Sequence, residues 1–404
     1  MSTFRFGRIK SGVATVLRII LISIVLRAKE GLSDTISNGS CQWDSTRENN
    51  PTVYWINVEN SNLRRQYMQD HLESLSFKHH RVVAVSPSSP TYNLSKLQKP
   101  CKRNTEKDIS TIMSHLKAIH TAIYSNQSYA NHSSKRQLRK ELRSKKDAST
   151  DGIISTNMSD YALIMEDDVK FIYQLNFTSL ILSAPKNFGI LQLSTSNEEA
   201  LHHLWSTFTE KSNIGAAHFE GKSVLEQNNL RALFDSNTSS SNWWTYNHWN
   251  SQTKDKRTTL YWSAQAYIIN KKIVKPFIDD VIDTWSNGSI SFKIVNGFNQ
   301  RYCQRSKNFP CILANCLFAD TYIYAGGGPT YVSHIPLFTG ANVGLKSDMH
   351  QEQVGAHKVG FDAIDDITKE VRRGTYLGSG TLGPRSLLIP SFIMNPRKCT
   401  PQSD

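Results

Sequence analysis

Three consecutive acids follow a short apolar run near the middle of the chain. Residues 161–164 (YALI) lead through Met165 into Glu166, Asp167 and Asp168. A short apolar run that ends in acids is typical of a buried strand whose C-terminal edge delivers carboxylates to a crevice. Because side chains alternate along a strand, we expect Glu166 and Asp168 on one face and Asp167 on the other.

The chemistry expected of such a cluster is cation binding. Adjacent carboxylates repel one another and are costly to bury without a partner. A divalent cation offsets that cost because hard cations prefer carboxylate oxygen, and the same cation can bind a phosphate or diphosphate. A solvated acidic turn after a strand is the alternative, and these residues alone do not separate the two readings.

The bulk properties favour a globular protein and argue against nucleic-acid binding. A chain of 404 residues with 39% hydrophobic residues can bury a full core. Most of the net charge of +13 lies in residues 1–27 and in the segment 135–146 (KRQLRKELRSKK), so the rest is close to neutral. A nucleic-acid binder should carry its charge on the folded face that contacts phosphate, and we read 135–146 as a solvated basic loop.

Residues 1–28 have the pattern of a targeting segment. Arg5, Arg8 and Lys10 precede the apolar run 13–26, which is shorter than the roughly 20 residues that span a bilayer comfortably. A cleaved signal peptide and a short signal anchor both remain open. Positive charge before the apolar run places the rest of the chain in the lumen of the endoplasmic reticulum or Golgi, as a single-pass type II membrane protein or a secreted one. Eight N-glycosylation sequons and an even count of six cysteines agree with that compartment.

Alternating strand and helix patterns predict a parallel α/β domain at residues 51–360. A polar stem at 29–50 precedes it, a basic insertion at 125–159 interrupts it, and a tail at 361–404 with little periodicity after about 370 follows it. The predicted strands are 53–58, 81–85, 161–169, 188–194, 260–270 and 320–324, and the predicted helices are 62–75, 110–124 and 272–281. The β–α–β order at the start is typical of a parallel sheet, and the membrane is expected to be contacted only through the N-terminal segment.

A series of short blocks across residues 52–340 resembles the family-25 glycosyltransferases, which include lipopolysaccharide sugar transferases and collagen galactosyltransferases. The blocks are Ile56-Asn57-Val58 with Arg64 seven residues after the Asn, Ser114-His115-Leu116-Lys117-Ala118, 162–169 (ALIMEDDV), 191–193 (LQL), 266–269 (AYII), and Asp320 at the start of a predicted strand. The Gly-Cys pair usual before the second block is replaced near Ser110 and Thr111. Agreement is poorest between 200 and 258, where the stretch 242–250 (NWWTYNHWN) has no counterpart.

The resemblance implies a GT-A type, Rossmann-like α/β domain that uses a UDP-sugar and Mn²⁺ or another divalent cation. The implied reaction moves a hexose, galactose from UDP-galactose in the first instance, to a hydroxyl of a glycan or protein acceptor with inversion at the anomeric carbon. The acidic block then corresponds to the metal-binding motif of that fold.

Residue roles follow from the same resemblance and from residue chemistry. The expected metal ligands are Glu166, Asp167, Asp168 and His350, and the expected catalytic residues are Asp168 and Asp320, the latter as base or acceptor ligand. The nucleotide sugar is expected to contact Asn57, Arg64, Ser114, His115 and Glu166. The aromatic cluster of Trp243, Trp244, Tyr246 and Trp249 is interpreted as buried packing, with a sugar-stacking platform as the alternative.

Two other classes compete with a transferase. A non-catalytic, sugar-binding or scaffolding relative would keep the fold without turnover, although retaining clustered repulsive acids argues against it. A metal-dependent phosphohydrolase also uses clustered acids, but it normally needs several histidines at motif spacing, which the chain lacks.

Overall fold

The computed structural model describes residues 50–87, 106–125, 157–219, 242–245, 263–284, 290–292, 319–341, 354–373 and 390–394. The targeting segment, the stem, most of the basic insertion and His350 lie outside these ranges, and what the sequence predicts for them stays a prediction. Across the described ranges, none of the helices combines the length and the apolar character needed to cross a membrane.

A mixed, seven-stranded sheet forms the centre of the fold. Its strands are β1 (Thr52–Asn57), β2 (His79–Val83), β3 (Tyr161–Glu166), β6 (Ile190–Gln192), β7 (Trp243–Thr245), β8 (Ala266–Asn270) and β11 (Thr330–Ser333), in the order β2-β1-β3-β8-β6-β11-β7. β1 pairs in parallel with β2 and β3, and β6 with β11. β8 runs antiparallel between β3 and β6, and β7 antiparallel to β11.

Three small two-stranded sheets lie outside the central one. They pair β9 (Ile282–Thr284) with β10 (Ile290–Phe292), β4 (Val169–Phe171) with β12 (Phe338–Gly340), and β5 (Gln174–Leu175) with β13 (Ile393–Met394). Two of the three therefore fold residues close behind the acids, in β4 and β5, back onto distant segments of the chain.

Helices cover both faces of the sheet. They are α1 (Asn62–Ser74), α2 (Glu106–Tyr124), α3 (Phe177–Leu182), α4 (Glu198–Phe219), α5 (Lys271–Val281), α6 (Ala319–Gly326) and α7 (Val354–Arg373). On one face, α1, α3 and α7 pack against side chains such as Trp55 and Met165. On the other, α2, α5 and α6 pack against their strand neighbours Tyr54 and Ile164. This alternation confirms the period of two and the α/β class read from the sequence. The predicted parallel sheet is corrected to a mixed one, since β7 and β8 run antiparallel to their neighbours.

The element at Asp320 is a helix, so the short strand predicted at 320–324 is wrong. Asp320 lies in the first turn of α6, and Tyr322, Ile323 and Tyr324 are all buried in the core on the α2 side of the sheet. A short apolar run followed by glycines fits a buried strand and a buried helix equally well, and here packing against α2 selects the helix.

Ordered structure continues past the end predicted for the domain. α7 crosses residue 360, and its Ile364, Ile367 and Val371 are buried in the core. Phe392 and Ile393 are buried as well, which corrects the expectation of little regular structure after residue 370 at those positions.

Candidate functional site

The acidic block lies where several strands end at the same edge of the sheet. Ile56 of β1 pairs with Glu166 of β3, so Asn57 directly adjoins the first acid. β8 begins at this edge because it runs in the opposite direction, and the Glu166 amide donates to the Gln265 carbonyl at 2.8 Å. Carboxyl ends of parallel strands are a frequent location for ligand crevices in α/β proteins.

Asp167 is held from the α1 side by two buried side chains. Asn57 Nδ2 donates to Asp167 Oδ2 at 2.6 Å, and Arg64 Nη1 donates to Asp167 Oδ1 at 3.1 Å. Burial raises the pKa of Asp167, while the hydrogen bond from Asn57 and the charge of Arg64 act against that rise. Asp167 therefore carries a structural ion pair in the described site.

Asn57 itself is engaged on every side-chain polar atom. Its Nδ2 also donates to the Ser61 carbonyl at 3.2 Å, and its Oδ1 accepts from Arg81 Nε at 2.8 Å. Only 1% of Asn57 and 9% of Arg64 are exposed. Both residues thus hold the acidic turn, and the nucleotide contact that the sequence predicts for them stays a prediction.

The strand alternation predicted for the acids holds for the first two and fails for the third. β3 ends at Glu166, and Asp167 and Asp168 form a turn before β4. Glu166 turns toward α2, whereas Arg64 Nη1 pairs with Asp168 Oδ2 at 3.3 Å as well as with Asp167. Asp168 therefore shares the Arg64 guanidinium with Asp167, because the strand ends at Glu166, three residues before the end that the sequence predicts.

Asp168 has an unusual electrostatic position. Its Oδ1 is buried and has no hydrogen-bond partner among the described residues, although the side chain as a whole is 27% exposed. Burial and the nearby Glu166 charge raise the pKa of Asp168 to about 7, with Arg64 opposing the shift and Asp167 adding to it. A carboxylate oxygen so placed is a strong acceptor for a cation.

Glu166 is contacted from the α2 side. His115 Nε2 lies 3.2 Å from Glu166 Oε1, and His115 Nδ1 lies 3.0 Å from the Tyr267 hydroxyl. His115 and Tyr267 are fully buried, while the Glu166 side chain is 30% exposed. The structure thus brings His115 to the acid block, as the sequence predicted, and adds Tyr267 of β8, which the sequence analysis did not single out.

Some of the other predicted residues lie in the described ranges, and some lie outside them. Ser114 Oγ accepts from the Val85 amide at 2.8 Å and donates to the Ser110 carbonyl at 2.7 Å, so it ties α2 to the end of β2. Trp243 is buried against Phe392 and donates from Nε1 to Ser183 Oγ at 3.0 Å, which confirms packing for this member of the aromatic cluster. Tyr246 and Trp249 lie outside the described residues, as does His350.

A group of basic side chains beside Asn57 was missed by the sequence analysis. Arg81 Nη2 and Arg65 Nη2 lie 3.2 and 4.0 Å from the carboxylate of exposed Glu59. Lys117 donates to the Val83 carbonyl at 2.9 Å, and burial lowers its pKa while Glu59 acts against that. These basic side chains lie far apart in the sequence, each on a different element, and no local pattern indicates that they come together.

The divalent cation that the sequence predicts at this turn stays a prediction. Within the described ranges, no set of three His, Cys, Asp or Glu side chains is arranged to hold a metal ion. The unpartnered Asp168 Oδ1 and the nearby Glu166 can supply two oxygens. Sites of this kind commonly complete their coordination with substrate phosphates and water.

Fold and site together define an α/β protein with a mixed central sheet and an acidic turn at a strand end, held by a buried arginine. No family model matches the chain, and no curated protein matches it.

Proposed function

We propose that this protein is a metal-dependent glycosyltransferase of the GT-A type. It would move a hexose, galactose from UDP-galactose in the first instance, to a hydroxyl of a glycan or protein acceptor in the lumen of the secretory pathway. The proposal is supported by the resemblance of its sequence blocks to the family-25 glycosyltransferases and by the acidic turn at the end of β3.

The observation that carries the proposal is the Asp168 carboxylate at the sheet edge, whose pKa is raised by burial and by the nearby charge of Glu166. Asp168 Oδ1 is buried and has no hydrogen-bond partner among the described residues, and a carboxylate placed in this way beside a second acid is costly unless a cation joins them. Arg64 offsets part of this cost but is already shared between Asp167 and Asp168. The remaining negative charge favours a divalent cation, and such a cation favours a diphosphate beside it.

The residues of the site have different roles in the proposed transfer. Asp168 and Glu166 would hold the cation, and a bound divalent cation would stabilise charge on the departing nucleoside diphosphate. Arg64 and Asn57 keep the acidic turn in place from the α1 side. An inverting reaction also needs a base for the acceptor hydroxyl, and Asp320 in the first turn of α6 is the proposed one.

The test is nucleotide release from a panel of UDP- and GDP-sugars by the purified full-length protein, with Mn²⁺ or with EDTA. We expect one donor to be turned over with Mn²⁺ and none with EDTA. Asp168→Asn should lower that release at least about 100-fold, because it removes an anionic ligand without changing side-chain size. Asp366→Asn, the same substitution on the exposed face of α7, should leave release unchanged.

Three results would count against the proposal. Full activity of Asp168→Asn would remove the acidic turn from the mechanism, and release that persists in EDTA would remove the cation. The absence of release from every donor by a folded wild-type protein would instead favour the non-catalytic, sugar-binding alternative.

A further inference from the structure

Three side chains from three different elements form a continuous chain of hydrogen bonds that ends at the acidic turn. The Tyr267 hydroxyl of β8 lies 3.0 Å from His115 Nδ1 of α2, and His115 Nε2 lies 3.2 Å from Glu166 Oε1 at the end of β3. We call Tyr267, His115 and Glu166 the buried hydrogen-bond chain. Tyr267 and His115 are buried, whereas the Glu166 side chain is partly exposed to solvent.

The chemistry of the groups fixes the direction of the hydrogen bonds. An ionised carboxylate can only accept, so His115 Nε2 must carry a proton and donate to Glu166. A neutral imidazole then offers Nδ1 as an acceptor, and the Tyr267 hydroxyl donates to it. With the opposite arrangement the tyrosine proton would point into a core where no acceptor for it is described. Burial, with Glu166 adding to it, raises the pKa of Tyr267 well above its usual range, so the hydroxyl keeps the proton that it donates.

The polar character of this chain stands out against its surroundings. Its members lie on the face of the sheet where Ile119, Ile164 and Ile269 fill the core. An apolar side chain would fill the same space without the cost of burying an imidazole and a hydroxyl. The imidazole and the hydroxyl have a function that an apolar side chain lacks if they fix the Glu166 carboxylate.

We propose that Tyr267 and His115 are positioning residues, which hold the Glu166 carboxylate in the orientation from which it binds a divalent cation. A free glutamate side chain loses rotational freedom when it becomes a ligand, and a side chain already held by a hydrogen bond loses less. Partners behind metal-binding side chains act in this way in general, and their loss typically weakens metal binding about 10–100-fold. This inference rests on the proposed function, since it assumes that the acidic turn binds a cation.

The experiment measures the Kd of the full-length protein for Mn²⁺ alone, by electron paramagnetic resonance of free Mn²⁺. Tyr267→Phe removes only the hydroxyl and should raise the Kd about tenfold, and His115→Leu should raise it by up to about 100-fold. His115→Gln keeps an N–H near the position of Nε2 and should bind Mn²⁺ more tightly than His115→Leu. The matched control is Tyr54→Phe, which removes a hydroxyl from an equally buried tyrosine of the same core cluster. That hydroxyl is hydrogen-bonded to Ser125 Oγ at 2.7 Å. The Kd of this variant for Mn²⁺ should equal that of the wild type.

A second measurement reads the buried hydrogen-bond chain directly. ¹⁵N NMR of histidine-labelled protein should find His115 as the Nε2–H tautomer in the wild type and a changed ring-nitrogen shift in Tyr267→Phe. A positioning role predicts that the Mn²⁺ affinity falls in the variants while their far-ultraviolet circular dichroism stays that of the wild type. A purely structural role does not predict this combination.

The outcomes separate this inference from the proposed function. Wild-type Mn²⁺ binding together with an unchanged Kd in both Tyr267→Phe and His115→Leu would overturn the positioning role and leave the transferase proposal standing. A wild-type protein that binds no Mn²⁺ alone would overturn the positioning role, and the nucleotide-release assay would then decide the transferase proposal separately.

Discussion

Arg64 occupies a helix position that pattern alone assigns to an apolar side chain. It shares the buried stripe of α1 with Met68 and Leu72, which follow it at successive intervals of four residues. A basic residue on such a stripe indicates a buried acidic partner, and the partner is the Asp167–Asp168 turn. This signal was present in the sequence, but it does not say which of the 34 acids pairs with Arg64.

Loss of the Arg64 charge should destabilise the protein. Arg64→Met keeps much of the side-chain volume and leaves Asp167 buried without its cation, so we expect a loss of about 3–5 kcal/mol in the free energy of unfolding, measured by urea titration. Arg65→Met, one residue further on and half-buried beside exposed Glu59, should cost less than about 1 kcal/mol. An equal loss of unfolding free energy in the two variants would show that the buried ion pair contributes no more to stability than the exposed one.

His71 is the residue that should make stability depend on pH in the acid range. Burial, with the nearby charge of Lys170 on β4 adding to it, lowers the pKa of His71 to about 4. Its ring stacks with Tyr67 at 5.8 Å and lies 5.8 Å from the ring of Phe171, and in the part of the chain that the structure describes its buried Nε2 has no hydrogen-bond partner. The folded protein therefore favours the neutral ring.

The sign of the effect follows from comparing folded and unfolded chains. Between about pH 6.5 and 4 the unfolded chain binds a proton at His71 and the folded one does not, so stability is complete above 6.5 and falls toward pH 4 by up to about 3 kcal/mol. His71→Gln should flatten this part of the stability profile in urea titrations at pH 7, 6 and 5. His202→Gln, at an exposed histidine of α4, should leave the slope as it is in the wild type. A slope that survives in His71→Gln would assign the titration to other groups.

At the scale of the elements, the sequence predicted most of what positions the site. β1, α1, β2, α2, β3 and α5 were predicted with the correct type because apolar residues recur at the strand or helix period over the whole segment. The short elements were less accessible, as α6 shows, since a run of five residues does not distinguish a helical from a strand period. The turn after Glu166 was missed for a related reason, because no local feature marks where pairing with β1 ends.

The candidate site was predictable only in its local part. The three acids and His115 were found because each belongs to a recognisable block, and both lie at the same place in the structure. The roles of Asn57 and Arg64 as partners of Asp167, and the presence of Tyr267, depend on packing between segments more than 100 residues apart. The charge and periodicity of a segment indicate what type of contact a buried side chain makes, but they do not identify the residue that it contacts.

A close backbone approach joins β6 to the turn before β11. A Cβ added at Gly189 would lie 2.0 Å from the Gly327 carbonyl oxygen, and neighbouring Gly328 has a φ of +99°. Gly189→Ala should therefore lower the free energy of unfolding by about 1–3 kcal/mol through overpacking, measured by thermal and urea unfolding. Asn187→Ala, at an exposed position two residues earlier, should change it by less than about 0.5 kcal/mol. A tolerated Gly189→Ala would mean that the turn at Gly327 can move away.

At the scale of the whole molecule, the sheet consists of two groups of strands joined by one. β2, β1 and β3 form the first group and β6, β11 and β7 the second, and β8 lies between β3 and β6 with hydrogen bonds to both. The acidic turn and Tyr267 meet because β8 enters the sheet at the edge where β3 leaves it. The site is thus built at the junction of the two groups.

The position of β8 also bears on how the protein is made. During synthesis the first three strands of the sheet are complete once Glu166 has emerged from the ribosome, but β6 has no neighbour until α4, β7 and β8 have followed. For that interval the nascent chain presents unpaired apolar edges on β3 and β6, which are templates for pairing with other chains. We expect this stretch of translation to be the stage at which the chain depends most on chaperones, and at which pausing or heat stress leads to aggregation.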